Sequence, residues 1–159
     1  MTAKLSDFLS DQCLENLIIK NVTEGEIFRM RLSEDEGVKD KNRGDNGRNK
    51  YFVILGHDSE GNAIGFVLID SQINPYLPKK RKDLHYPIKA SKYSFLDGKN
   101  RFIDCSDFKI ISKAKFSKLF GAEKSKGKLD EDDLAFVKEA TAHYEDASPK
   151  QLKRFGLIS

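Results

Sequence analysis

Short apolar runs separated by polar breaks fill the middle of this chain, and two of them define its clearest element. In "NKYFVILGHDSEGNAIGFVLID", residues 49 to 70, the runs Tyr51 to Leu55 and Ile64 to Ile69 are rich in Val, Ile and Phe. Neither shows the i, i+3, i+4 spacing of a helix, and both are bounded by Gly and Asp or Asn, so each reads as a strand. The break "GHDSEGNA" is too polar for a core and predicts an exposed hairpin turn. Strands this continuously apolar call for burial on both faces, or at least central positions in a curled sheet. Upstream, "GEIFRMRL" (25 to 32) alternates closely enough to be a strand, and residues 33 to 49 form a charged, aperiodic loop whose one apolar anchor is Val38. Downstream, "LHYPIKAS" predicts a weak strand whose Pro87 belongs on an unpaired edge, and "RFIDCSDFKIIS" supplies one or two more.

Helical spacing appears at the two ends. "KLSDFLSDQCLENLIIKN" predicts an N-terminal helix capped by Ser6, with Phe8, Cys13, Leu14, Leu17 and Ile18 near one face. The register turns helical again around Lys115 to Phe120. "LDEDDLAFVKEATAHYE" follows as a helix with acidic residues in its first turn and Leu134, Val137, Ala140 and Thr141 as its inner stripe. "SPKQLKRFGL" predicts a short closing helix with Ser148 as cap, Pro149 at its first position and Gly156 as its stop. Five to seven short strands between residues 25 and 112, with helices around them, predict a mainly β (α+β) fold built on a small curled antiparallel barrel. The pattern leaves open whether that barrel is an oligonucleotide-binding fold, an SH3-like barrel or another kind.

Length and composition narrow the class. At 159 residues, 38% hydrophobic and 33% charged, the chain suits one domain with a real core and a polar lean. No apolar run approaches the ~20 residues of a membrane span, and "MTAKLSDFLSDQ" has no signal-peptide core. Cys13 and Cys105 are far apart and fit no disulfide framework, so both are expected to be packed thiols in a reducing cytoplasm.

The net charge of +3 is modest but unevenly placed. Lys39, Lys41, Arg43, Arg48 and Lys50 precede the hairpin against Asp40 and Asp45; Lys79, Lys80, Arg81, Lys82, Lys89 and Lys92 follow it against Asp83. A charge run is ordinarily a solvated face. Two basic segments flanking one hairpin are less easily dismissed, and with Tyr76, His85, Tyr86 and Tyr93 interleaved they suit a phosphate backbone with unstacked bases. Lys79, Lys80, Arg81, Lys82, His85 and Tyr86 are therefore the candidate RNA contacts.

The remaining chemistry-bearing residues carry plainer readings. His57 falls in the hairpin turn and reads as solvent-exposed, and His143 on the last long helix as structural or exposed. Three scattered histidines show no metal-ligand spacing, and the acidic residues at 34 to 36 and 130 to 133 are neighbours pointing different ways, so no metal site is expected. Cys105 has no histidine placed to activate it and reads as a core thiol. "GRNK" and "DGKN" are turns, not phosphate loops.

The order of segments resembles one family. "EGEIFRMRLSEDEG", a polar loop and "GRNKYFVIL" resemble the opening of MazF/PemK/Kid-type toxins. "FVLIDSQIN" stands where that family has its second long strand and a Thr- or Ser-containing turn. "LHYPIKASKYSFLDGKNRFIDCSDFKIISKAKF" is similar to its later strands, and "GKLDEDDLAFVKEAT" to its closing helix. The resemblance spans residues 24 to 142 and rests on order and pattern. It implies a small SH3-like barrel; the strand order places the barrel core at 24–117 of a single domain, between an N-terminal helical extension (1–22) and C-terminal helices (118–159). It also implies a cytoplasmic, metal-independent endoribonuclease without cofactor, usually dimeric, belonging to a toxin-antitoxin system and neutralised by a small acidic antitoxin.

Transfer of a phosphodiester to the adjacent 2′-hydroxyl needs a base, an acid and a cation for the phosphorane charge. Where the family has its catalytic Arg, this chain has Lys50, with Arg48 two residues earlier; where the family has Thr or Ser, it has Asp70 followed by Ser71. Lys lacks the planar fork of Arg but supplies the charge. Arg48, Lys50, Asp70 and Ser71 are the expected catalytic set, because the start of one hairpin strand and the end of its partner share one open end. Mobility of the loop from Glu34 to Arg48, ordered by RNA or antitoxin, is a further expectation. A second class stays open: a non-catalytic barrel binding nucleic acid or a protein partner, in which the cations and Asp70/Ser71 would point apart.

Overall fold

Helix α1 (Asp11–Asn21) leads into strand β1 (Glu26–Leu32), and the hairpin follows as β2 (Arg48–His57) and β3 (Ala63–Asp70). A single helical turn, α2 (Lys79–Lys82), precedes β4 (His85–Ile88), β5 (Arg101–Asp104), β6 (Lys109–Ser112) and α3 (Lys113–Phe120). The two-residue strand β7 (Gly127–Lys128) comes before α4 (Glu131–His143) and α5 (Pro149–Arg154). This computed structural model describes residues 11–120 and 124–159. The proposed cap Ser6 and Phe8 lie outside them.

Every strand pairing among the described residues is antiparallel, in the order β4-β5-β3-β2-β1-β7 with β6 also on β3. Ile69 and Asp70 of β3 pair with β5, whereas Ala63 to Phe66 pair with β6, so one long strand carries two successive partners on the same edge. The sheet therefore curls about β3, giving the α+β half-barrel with flanking helices that the strand pattern called for. β4, with Pro87, is the outermost strand on its side.

The hairpin's unbroken apolar runs have a simple cause: both faces are covered. On one face Phe28, Met30, Phe52, Ile54, Ile64 and Phe66 pack with Ile19 of α1 and Phe116 of α3. On the other, Ile27, Val53, Leu55, Val67 and Ile69 pack with Ile103 and with Val137 of α4. Burying a side chain of this size contributes about 1.5–3 kcal/mol, which makes the hairpin the most heavily stabilised part of the sheet.

Several local expectations change. At the end of α1 Ile19 is buried with Ile18 packed alongside, as is Val22 just after the helix, while Leu14 and Leu17 are 40% and 49% exposed and Cys13 is exposed. The helix meets the sheet through its C-terminal turn, not along its length. His57 is not a free turn residue: it ends β2, half buried, and its Nε2 donates to the Val22 carbonyl at 2.6 Å, tying α1 to the sheet. Residues 79 to 82 form a helical turn instead of a loop. In the segment after β1, Glu34–Glu36 form a 3-10 turn; the Glu36 carboxylate accepts from Lys115 Nζ at 2.6 Å and Val38 is buried. Gly47, at φ 103°, passes so close to β1 that a Cβ would meet the Leu32 carbonyl oxygen at 2.4 Å, and this close passage delivers Arg48 into β2.

Candidate active site

At the open end of the hairpin lies a cavity of about 390 Å3. Arg48 and Lys50 of β2, Asp70 at the end of β3, and Ser71 line it together with Arg81, His85 and Asp104. The four residues expected to act together thus share one concave surface, and two of the expected RNA contacts, Arg81 and His85, join them.

Register explains the convergence. Lys50 faces Met30 across β1–β2, Asp70 faces Phe102 across β3–β5, and His85 faces Asp104 across β4–β5, so alternation turns Lys50, Asp70, Asp104 and His85 to one face. Lys50 Nζ donates to Asp70 Oδ1 at 2.6 Å. Arg81 reaches in from α2: its Nε donates to Ser106 Oγ at 2.9 Å, and its Nη2 stands 3.6 Å from Asp104 Oδ2. The His85 side chain is 1% exposed. Its Nδ1 lies 2.8 Å from the Arg81 carbonyl, which can only accept, so Nδ1 carries a proton. That leaves Nε2 facing Asp104 Oδ1 at 3.7 Å.

The same alternation separates Tyr86 from this site. Tyr86 points to the opposite face, where its hydroxyl donates to Asp133 Oδ1 of α4 at 2.6 Å. Tyr93 also donates to Asp133, and Lys92 Nζ donates to Asp133 Oδ2 at 2.9 Å. Burial alone would raise the Asp133 pKa, but the hydrogen bonds from Tyr86, Tyr93 and Lys92 outweigh it and hold the carboxyl below its ordinary range. The hydrogen bond to Asp133 pushes the Tyr86 hydroxyl up to about 12; burial, then Asp133, does the same for Tyr93. These two tyrosines are spent on docking α4 and leave the cleft. Tyr76 is 93% exposed, between the lining residues Pro75 and Leu77.

The basic cluster also divides. Lys80 pairs with Glu145 at 3.1 Å and Asp146 at 2.6 Å, Lys79 with Asp83 at 3.1 Å, and Lys82 is half buried. Arg81 is the member of that turn that lines the cavity. Cys105 is buried, and burial pushes its thiol up to about 12, as suits a core residue.

One grouping escaped the sequence reading. Ligand atoms of Asp70, His85 and Asp104 all lie within 4.8 Å of one another, although these residues come from three strands and their spacing along the chain gives no hint of it. The donor set fits an anion better than a metal ion. Lys50 occupies Asp70 and Arg81 stands against Asp104, so both carboxylates already face protein cations. Three cationic side chains against two carboxylates leave the cavity net positive even with His85 neutral. Such a cavity suits a phosphodiester flanked by a base and an acid.

No protein-family model matches this chain, and no curated protein matches it either.

Proposed function

We propose that this protein is an endoribonuclease that cleaves single-stranded RNA by metal-independent transfer of the phosphodiester to the neighbouring 2′-hydroxyl. The observation that carries the reading is the meeting of Arg48, Lys50, Asp70, Ser71 and His85 around one net-positive cavity. A positioned carboxylate and an oriented imidazole beside cations are what acid–base cleavage needs and what binding alone does not require.

In this reading the scissile phosphate sits against Arg48 and Lys50. Asp70 takes the 2′-hydroxyl proton as that oxygen bonds to phosphorus, and Ser71 donates to a phosphate oxygen. His85, in its protonated form facing Asp104, gives a proton from Nε2 to the departing 5′-oxygen. The products are a 2′,3′-cyclic phosphate and a 5′-hydroxyl, with Asp70 protonated and His85 neutral until solvent exchange resets both. The cations stabilise charge that develops only in the transition state, where one such group is worth about 3–4 kcal/mol.

The resemblance extends the proposal to a toxin of a toxin-antitoxin pair, acting in the cytoplasm as a homodimer and held in check by a small acidic antitoxin. Cleavage of single-stranded RNA in EDTA tests the chemistry, comparing the parent with Arg48→Ala, Lys50→Ala and Asp70→Ala/Ser71→Ala. The parent is expected to cut and the variants to lose about 10²–10³ in rate. Equal cutting by all of them would put the site elsewhere. Tight binding without cutting of any sequence offered would favour the binding-module reading.

A further inference from the structure

A second hollow, of about 190 Å3, adjoins the cavity and shares Arg48, Lys50 and Ser71 with it. Its own contributions are Arg29 of β1, Tyr51 of β2 and Arg101, the first residue of β5. Register places Arg29 opposite Tyr51, Tyr51 opposite Ile69 and Ile69 opposite Ile103, so the Arg29 and Tyr51 side chains share the face opposite to Lys50 and Asp70. The two hollows therefore lie on either side of a rim made by the strand ends, with Arg48, Lys50 and Ser71 common to both.

We propose that this second hollow holds the phosphate adjacent to the scissile one, so that the enzyme grips its RNA as a unit of at least two phosphates. The inference rests on the ribonuclease reading for its substrate and on three observations for its site. First, Arg29, Arg48, Lys50 and Arg101 line the hollow and no carboxylate does. Lys50 is paired with Asp70, so Arg29, Arg48 and Arg101 stand without an ion-pair partner among the described residues; they repel one another, and an anion relieves that repulsion. Second, the guanidinium groups of Arg29 and Arg101 stand 5.7 Å and 5.1 Å from the Tyr51 ring centroid. Stacking fixes their planes while leaving their N–H donors unspent, the arrangement that recognises phosphate oxygens. Third, Arg101 Nε is buried and has no hydrogen-bond partner among the described residues. A buried donor left unmet is unfavourable, and a phosphate oxygen would satisfy it. The scissile-phosphate cavity, by contrast, mixes its cations with Asp70, Asp104 and His85. One hollow carries the chemistry and its neighbour holds the strand.

The test uses the full-length protein and 2′-O-methyl oligoribonucleotides, which bind but have no nucleophile. A dinucleotide offers one phosphate and a trinucleotide two. The parent is expected to bind the trinucleotide about tenfold more tightly than the dinucleotide, the factor given by one good charge-assisted contact. Arg29→Gln and Arg101→Gln should each abolish that increment, leave dinucleotide affinity within about twofold, and flatten the salt slope for the trinucleotide by about 0.7. Arg29→Gln alone suffices should Arg101→Gln fail to fold, and Arg29→Lys should restore part of the increment. Equal affinity of the parent for both probes, or equal loss for both in the variants, would overturn the proposal. A parent that shows the increment yet cuts no RNA would sink the nuclease reading while the second subsite stands; a parent that cuts RNA without the increment would do the reverse.

Discussion

Asp133 and Asp70 each meet a lysine amine, Lys92 at 2.9 Å and Lys50 at 2.6 Å, yet the two carboxylates sit in different company. Asp133, on α4, also accepts from two tyrosine hydroxyls and is buried. With Lys92 it accepts three hydrogen bonds, one at Oδ1 and two at Oδ2. Asp70 has Lys50 as its hydrogen-bond donor and opens onto a cavity whose other walls hold Arg48, Ser71 and His85. A carboxylate held by three donors ties elements together, whereas one with a single donor beside a hollow can take up a proton. Tyr86 and His85, neighbours on β4, are the hinge of the comparison, because alternation sends one to each region.

The largest expected effect breaks the active-site side of that comparison. His85→Ala should lower the initial rate of RNA cleavage by about 10²–10⁴, the usual worth of a positioned acid, whereas Tyr86→Phe should leave it unchanged. Equal losses at both positions would mean that β4 matters only as a strand. On the other side, Asp133→Ala should lower the unfolding free energy by about 2–3 kcal/mol in urea titration, with the cleavage rate kept wherever the protein is folded. Loss of activity without loss of stability there would contradict the structural role.

These residues also mark how much the sequence disclosed. The hairpin, its two-sided burial and the inward Val137 were legible because apolar spacing reports which faces are covered. Arg48, Lys50, Asp70 and Ser71 could be brought together on paper because strand ends in a hairpin fix their own proximity. His85 and Asp104 could not, since they reach the cavity through β4–β5 pairing that no local pattern announces. Tyr86 and Tyr93 looked like RNA-stacking residues because tyrosines among lysines are what a stacking groove requires. Their partner Asp133 lies 40 or more residues away. The helix α1 face was misjudged because periodicity shows an apolar stripe but not which turn of it touches the sheet.

Acidity sharpens the comparison further. The folded-state pKa of Asp133 is depressed, so its contribution to stability is present above the unfolded carboxylate value of about 4 and disappears as pH falls through the lower folded value. Tyr86 and Tyr93 are raised to about 12, so their contribution is complete below about 10 and disappears as pH rises toward 12. Urea midpoints across pH should therefore fall at both extremes, and Asp133→Asn should flatten the acid limb. An unchanged acid limb in the variant would remove Asp133 from the account.

The smallest effect concerns Lys79 and Lys82 of α2, which do not line the cavity. Lys79→Ala and Lys82→Ala should leave the cleavage rate at saturating RNA untouched and flatten the salt dependence of binding by no more than about 0.7 each, the share of one phosphate contact on a single strand. A drop in saturated rate would move Lys79 or Lys82 into the chemistry.

The central claim is that the cavity at the end of the hairpin cuts RNA through its own 2′-hydroxyl. The most direct measurement is product analysis in EDTA on an RNA oligonucleotide and on the same oligonucleotide with one 2′-deoxy sugar at the cleavage position. The expected result is a 2′,3′-cyclic phosphate and a 5′-hydroxyl from the first and no cut at that position in the second. Cleavage next to the deoxy sugar, or products bearing 5′-phosphate ends, would contradict it.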